Sequence, residues 1–188
     1  MNKRGGWILW LSIGFNLALL LGLFFYFALF SPNNESMYNT DKGIKLINPI
    51  SNLTQEEAIM QFNESFVSYL LYSIKAYNLH NPPLSSDTPK IKFLIGDDSY
   101  NAEIIDGLIK TQKIGINNED IQIITTKSEA VKMLRDRDYV EQSFKLGNSR
   151  IELIAGKTTL FSKGYLNLYT KLTGKSVTGN TIRIYMSN

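Results

Sequence analysis

The chain has 188 residues, with 20 Lys and Arg against 17 Asp and Glu, one histidine and no cysteine. The lack of cysteine excludes disulfides, thiolate metal sites and a cysteine nucleophile, and a single histidine leaves Ser-His-Asp triads and His-based zinc sites almost nothing to draw on. No dense run of Lys or Arg occurs, which argues against a nucleic-acid partner.

Residues 1–6 form a short leader holding Lys3 and Arg4, and residues 7–30, WILWLSIGFNLALLLGLFFYFALF, carry no charge. As a helix rising about 1.5 Å per residue, this run spans about 36 Å, enough for a hydrocarbon core of about 30 Å. Positive residues are retained on the cytoplasmic side, so a single-pass signal anchor is expected, with a cytoplasmic amino terminus and an extracytoplasmic remainder. A cleaved signal peptide fits less well, because its apolar region is usually about 7–15 residues long and Ala28-Leu29-Phe30 lacks the small-x-small pattern of a peptidase site. Residues 31–53 are rich in Asn, Ser and Pro and read as a stalk; Asn34, Asn52 and Asn63 fit the Asn-x-Ser/Thr acceptor pattern.

Residues 54–80 carry a strong helix signature. Thr54 and Glu57 have the spacing of a capping box, and Ile59, Phe62, Phe66, Leu70, Ile74 and Tyr77 recur at three- and four-residue steps. Packing of that face on a sheet is expected; an interfacial membrane helix is disfavoured because the opposite face holds Glu56, Gln61, Glu64 and Ser68 instead of lysines. Asn81-Pro82-Pro83 ends the helix, which makes His80 a helix-end residue.

From Lys90 the period changes to two. Ile91, Phe93 and Ile95, then Tyr100, Ala102 and Ile104, then residues 108–114 after the turn-forming Asp106-Gly107 predict three consecutive antiparallel strands, and residues 120–125 a fourth. Thr126 and Glu129 open a short helix, Arg135-Asp136-Arg137-Asp138 reads as a solvated end, and Tyr139, Val140 and Phe144 fit a second. Residues 151–155 fit helix or strand, with helix favoured because Gly156-Lys157 then restarts an extended segment through Leu160 and Phe161. Tyr165, Leu168, Tyr169 and Leu172 predict a helix ended by Gly174, and Ile182, Ile184 and Met186 a final strand.

Groups for catalysis form no recognisable set. Gly156-Lys157-Thr158 and Gly174-Lys175-Ser176 miss the upstream glycine of a phosphate-binding loop, since Ile151 and Tyr169 stand there. Asp97-Asp98 and Glu119-Asp120 are adjacent acids in turns, which ordinarily face solvent, and no Gly-x-Ser-x-Gly elbow occurs. No catalytic residue, metal ligand or cofactor is assigned, and a non-enzymatic role is expected.

The strand ending in Asp106-Gly107, residues 118–125 with the capped helix at 128–134, and residues 156–164 leading into 165–172 together resemble the sterol carrier protein (SCP2-like) lipid-binding family, over about residues 90–172. The resemblance implies an α+β domain over residues 54–188, with an antiparallel, roughly five-stranded sheet packed by helices, and a tunnel for acyl or sterol groups closed by the helix after Gly164. The function expected is a membrane-anchored lipid-binding or lipid-presenting module for an acyl or isoprenoid chain, lined by Leu153, Ile154, Leu160, Phe161, Leu166 and Leu168. The competing expectation is a single-pass accessory subunit that docks on a larger membrane or envelope complex through exposed aromatics such as Tyr69, Tyr72 and Tyr77. An internal cavity favours the first, and a packed interior with an exposed apolar patch the second.

Overall fold

The computed structural model describes residues 37–39, 43, 45–113 and 118–177. The run at 7–30, residues 31–36, 40–42 and 44 of the expected stalk, and the strand at 182–186 lie outside them. Among the described residues no helix is long and apolar enough to cross a membrane.

The first described elements, β1 (Met37–Asn39) and β2 (Lys45–Ile47), pair antiparallel. The segment after them packs on the domain: Ile50 is buried, the Asn48 side-chain amide donates to the Leu134 carbonyl at 2.9 Å, and Arg135 donates to the Leu53 carbonyl at 2.6 Å. The single helix expected over 54–80 is instead two helices, α1 (Gln55–Met60) and α2 (Glu64–Ser73), followed by a 3-10 turn at Ala76–Asn78. Both capping-box bonds are present at Thr54. The break arises at Asn63, which is extended and whose side chain accepts from the Ser65 amide, so the chain restarts a helix there.

Strands β3 (Lys90–Ile95), β4 (Asp98–Ile105), β5 (Leu108–Gln112), β6 (Ile121–Thr125) and β7 (Arg150–Leu153) form one sheet in the order β5-β4-β3-β6-β7. The β3-β4-β5 meander is as the turn residues predict: Asp106 and Gly107 both take positive φ, 52° and 83°, as a two-residue hairpin turn requires. The sheet is nevertheless mixed, and the antiparallel expectation is corrected. β6 does not extend the meander at β5 but crosses to the free edge of β3 and runs parallel to it, with Ile91 opposite Ile121. Asp120 sets that register, its amide donating to the Lys90 carbonyl at 2.9 Å while its carboxylate accepts from the Lys90 amide at 2.8 Å.

A second correction concerns residues 150–162. Arg150-Ile151-Glu152-Leu153 is a strand with Ile151 and Leu153 buried, and the segment expected to be extended is helix α5 (Lys157–Ser162). The helix buries Leu160, and Gly156, expected to restart an extended segment, is instead its N-cap residue. Helices α3 (Lys127–Arg135), α4 (Tyr139–Leu146) and α6 (Tyr165–Thr173) follow the expected periods, with Thr126 capping α3 and Gly174 ending α6 at φ 69°.

One sheet face carries Ile91, Phe93, Ile95, Tyr100, Ala102, Ile104, Ile121 and Ile123, all buried against Phe66, Val67, Leu70, Val131 and Leu172 of the helices. Phe62 packs edge-on to both Phe66 and Tyr100, with ring centroids 5.1 and 6.0 Å away. Burial of this apolar surface is the dominant favourable term for the fold.

Candidate functional site

Behind the corner between α5 and α6 lies a buried polar cluster. Lys163 is 1% exposed, and its ammonium reaches the Asp120 carboxylate at 3.0 Å, Asp87 at 2.8 Å and the Thr88 carbonyl at 2.9 Å. Asp120 accepts in addition from the Tyr165 hydroxyl at 3.0 Å and from the Lys90 amide. A charge removed from water is tolerated only when its hydrogen-bonding capacity is filled, and here each ion has several partners. Burial, and then the neighbouring Asp120 charge, push the Tyr165 phenol well above its ordinary range, so the hydroxyl stays protonated and donates. The cluster fixes the loop after the 3-10 turn at both ends, because the His80 amide also donates to the Lys163 carbonyl at 3.3 Å.

That loop and α5–α6 form the walls of a cleft of about 620 Å³. Its lining comprises His80 and Pro83 from the loop, Phe161, Ser162, Gly164, Leu166, Asn167 and Thr170 from the helical corner, and Val177. A smaller hollow of about 200 Å³ shares His80, Gly164 and Asn167 with it, and adds Lys75, Asn78, Leu168 and Lys171. The cleft thus has an apolar lining with His80 and Asn167 on the side shared with the hollow, where Lys75 and Lys171 stand among Ile74, Leu79 and Leu168. Gly164 stands where the two meet; its φ is 87°, and a Cβ there would lie 3.7 Å from Leu79 and 3.9 Å from His80. Side chains other than hydrogen are strained in that backbone region. His80 lies at the surface, with Nδ1 3.0 Å from the Asn81 carbonyl oxygen.

The six residues expected to line a lipid tunnel divide. Phe161 and Leu166 line the cleft and Leu168 the adjoining hollow, Leu153 and Leu160 are buried in the core, and Ile154 is exposed beyond β7. Of the aromatics expected on a docking surface, Tyr72 and Tyr77 are corrected: both are buried, their rings 6.1 Å apart, and the Tyr72 hydroxyl accepts from the Ile109 amide at 3.1 Å. Of the adjacent acids Asp97 is exposed, and the other three are engaged by cations. Asp98 meets Lys113 and Lys127 at 2.7 Å each, Glu119 meets Lys92 at 3.4 Å, and Asp120 belongs to the buried cluster. Sequence reasoning missed His80, Pro83, Gly164 and Asn167 as cleft residues and Lys171 beside them in the hollow. The one signal pointing to them was the Pro-Pro loop lying opposite the Gly-Tyr corner, a proximity that no local pattern encodes.

No family model and no curated protein sequence matches the chain. Among solved structures the fold bears a weak resemblance to sterol carrier proteins. A UbiJ-SCP2 ubiquinone synthesis protein aligns with TM-score 0.34 and 14% identity, over 58% of this chain and 90% of the other. The apo form of sterol carrier protein 2 from Yarrowia lipolytica aligns with TM-score 0.28 and 11% identity, over 64% of this chain and 88% of the other.

Proposed function

We propose that the chain is a membrane-tethered, non-catalytic module that holds an acyl or isoprenoid amphiphile in the cleft between the 80–83 loop and α6. The observation that carries this reading is the shape and chemistry of the cleft. Its volume of about 620 Å³ lies within the usual range of ligand sites, about 300–1,000 Å³. Pro83, Phe161, Leu166 and Val177 offer an apolar wall, and burying a hydrocarbon chain contributes about 0.8 kcal/mol per methylene without any ionisable catalyst. Asn167 and His80, shared with the adjoining hollow that holds Lys171, suit an anionic headgroup. The uncharged run at 7–30, preceded by Lys3 and Arg4, supports a tether with the domain outside the cytoplasm.

Native mass spectrometry of the full chain, extracted from its own membrane in mild detergent, tests the reading. The expected result is a bound lipid of defined mass that disappears in Leu166→Glu, while Phe161→Ser weakens retention without changing the melting temperature. A wild-type protein that is lipid-free overturns the proposal. Sidedness is checked on intact cells by labelling Ser86→Cys with a membrane-impermeant maleimide, a unique target because the natural chain has no cysteine.

A further inference from the structure

The loop wall of the cleft ends in a feature that the core does not need. The Ser85 amide donates to the Pro82 carbonyl at 3.1 Å, closing a turn in which Leu84 takes φ 63°. That position ordinarily belongs to Gly or Asn, and a leucine there costs about 1–2 kcal/mol. The strained backbone displays the Leu84 side chain at 110% relative exposure, next to cleft residue Pro83. On the facing wall Phe161 is 76% exposed. The cleft mouth is thus flanked by two large apolar side chains held in water, one of them at a conformational cost.

Charge around this mouth is mostly positive. Residues 74–86 contain no acidic residue, and Glu152 is the last acid in the chain, so residues 157–173 carry only Lys157, Lys163 and Lys171 as charged groups. Lys157 and the exposed Phe161 are four residues apart and share a face of α5. Lys171 extends the same sign along α6; it borders a further hollow that also holds Asp138 and Glu141, beyond the mouth. Asp87, three residues past Leu84, is half-exposed but is paired with Lys163 at 2.8 Å, which offsets its charge. Six residues separate Phe30 from Met37, a span of about 25 Å at full extension.

From these observations we infer that the cleft mouth docks on an anionic bilayer surface, with Leu84 and Phe161 entering the headgroup–acyl boundary and Lys157 and Lys171 meeting lipid phosphates. Apolar tips with Lys157 on the face of Phe161 and Lys171 further along α6, the one nearby carboxylate, Asp87, being paired with Lys163, match an anionic lipid surface in both burial and charge. The docked orientation opens the cleft toward the acyl layer. The inference rests on the proposed tether for encounter alone and does not require that a lipid be retained in the cleft.

The test uses the full chain in vesicles of phosphatidylcholine with and without phosphatidylglycerol, carrying an environment-sensitive fluorophore on Ser86→Cys or, for comparison, on Gln112→Cys of β5. Co-flotation of protein with vesicles reports the tether separately from docking. In anionic vesicles the expected result is quenching of the Ser86→Cys label, but not the Gln112→Cys label, by lipids spin-labelled in the upper acyl chain. Adding Leu84→Asn and Phe161→Ser abolishes that quenching, and Lys157→Gln with Lys171→Gln lowers the docked-to-undocked ratio about fivefold per lysine. Leu84→Asn alone raises the melting temperature by about 2–4 °C, since it relieves strain and loses no burial. Floating protein whose Ser86→Cys label stays unquenched overturns the inference. So does protection that appears only in native membranes and not in pure lipid, which assigns the surface to a protein partner.

Discussion

Two acid–lysine clusters in this domain use the same chemistry in opposite surroundings. At the corner of α5 and α6, Lys163 is enclosed by Asp120, Asp87 and Thr88, with the Tyr165 hydroxyl on the same carboxylate. At the β3–β4 turn, Asp98 is gripped by Lys113 and Lys127 at the same 2.7 Å, but those lysine side chains are 52% and 36% exposed. The contrast teaches what burial does to an ion pair. At the surface, water already stabilises each partner, so the pair adds little. In the interior each ion depends on the others, so the cluster acts as a rigid joint between the 80–89 loop and α5–α6, and the cleft inherits its width from that joint.

The largest effect is therefore expected from Lys163→Met. It leaves the Asp120 charge buried and loses three ammonium contacts, at a cost of about 3–5 kcal/mol. Urea denaturation of the full chain in detergent measures it. Asp120→Asn combined with Lys163→Met removes the stranded charge, and recovery of part of the loss is the expected outcome. If the single variant melts like wild type, the joint has no such role.

Part of this was legible in the chain and part was not, for physical reasons. The β3-β4-β5 meander follows from alternation and from Asp106-Gly107, a local turn that fixes its own register. The caps at Thr54, Thr126 and Gly174 are equally local. The parallel placement of β6 was hidden because its partner, β3, lies thirty residues upstream, and Asp120 declares its role only when the Lys90 backbone stands beside it. Residues 150–162 were misread because four- to six-residue apolar runs fit either period, and the alternation of Ile151 and Leu153 was outweighed by Gly156. Lys163 carried no sign of burial, since a lysine before a glycine reads as a solvated helix end. Phe161 and Leu166 were legible as candidates for the cleft; its opposite wall, His80 and Pro83, was not.

The next effect separates the clusters by pH. The Tyr165 phenol has its folded pKa raised, first by burial and then by Asp120, so the stability it contributes is fully present below the unfolded tyrosine value near 10 and is lost as pH rises through the folded value. Tyr165→Phe removes a hydrogen bond to a charged acceptor, about 1.5–3 kcal/mol at neutral pH, and the gap to wild type narrows on alkaline titration.

The surface cluster fails from the other side, and by less. Hydrogen bonds from Lys113 and then Lys127 hold the Asp98 carboxyl below its ordinary range. A depressed carboxylate contributes stability above its unfolded pKa, near 3.9, and loses it as pH falls through the folded value. Asp98→Asn is accordingly expected to unfold at slightly lower urea than wild type at pH 7, with the two curves converging in acid. High salt narrows the same difference at pH 7, because the lysines that grip Asp98 are open to solvent. The Lys163→Met deficit rests mainly on the Lys163–Asp120 pair, whose side chains are buried while Asp87 is half-exposed, so it keeps most of its size under the same salt. A salt-insensitive Asp98→Asn deficit, or a salt-sensitive Lys163→Met one, contradicts the assignment of one cluster to the surface and the other to the joint behind the cleft.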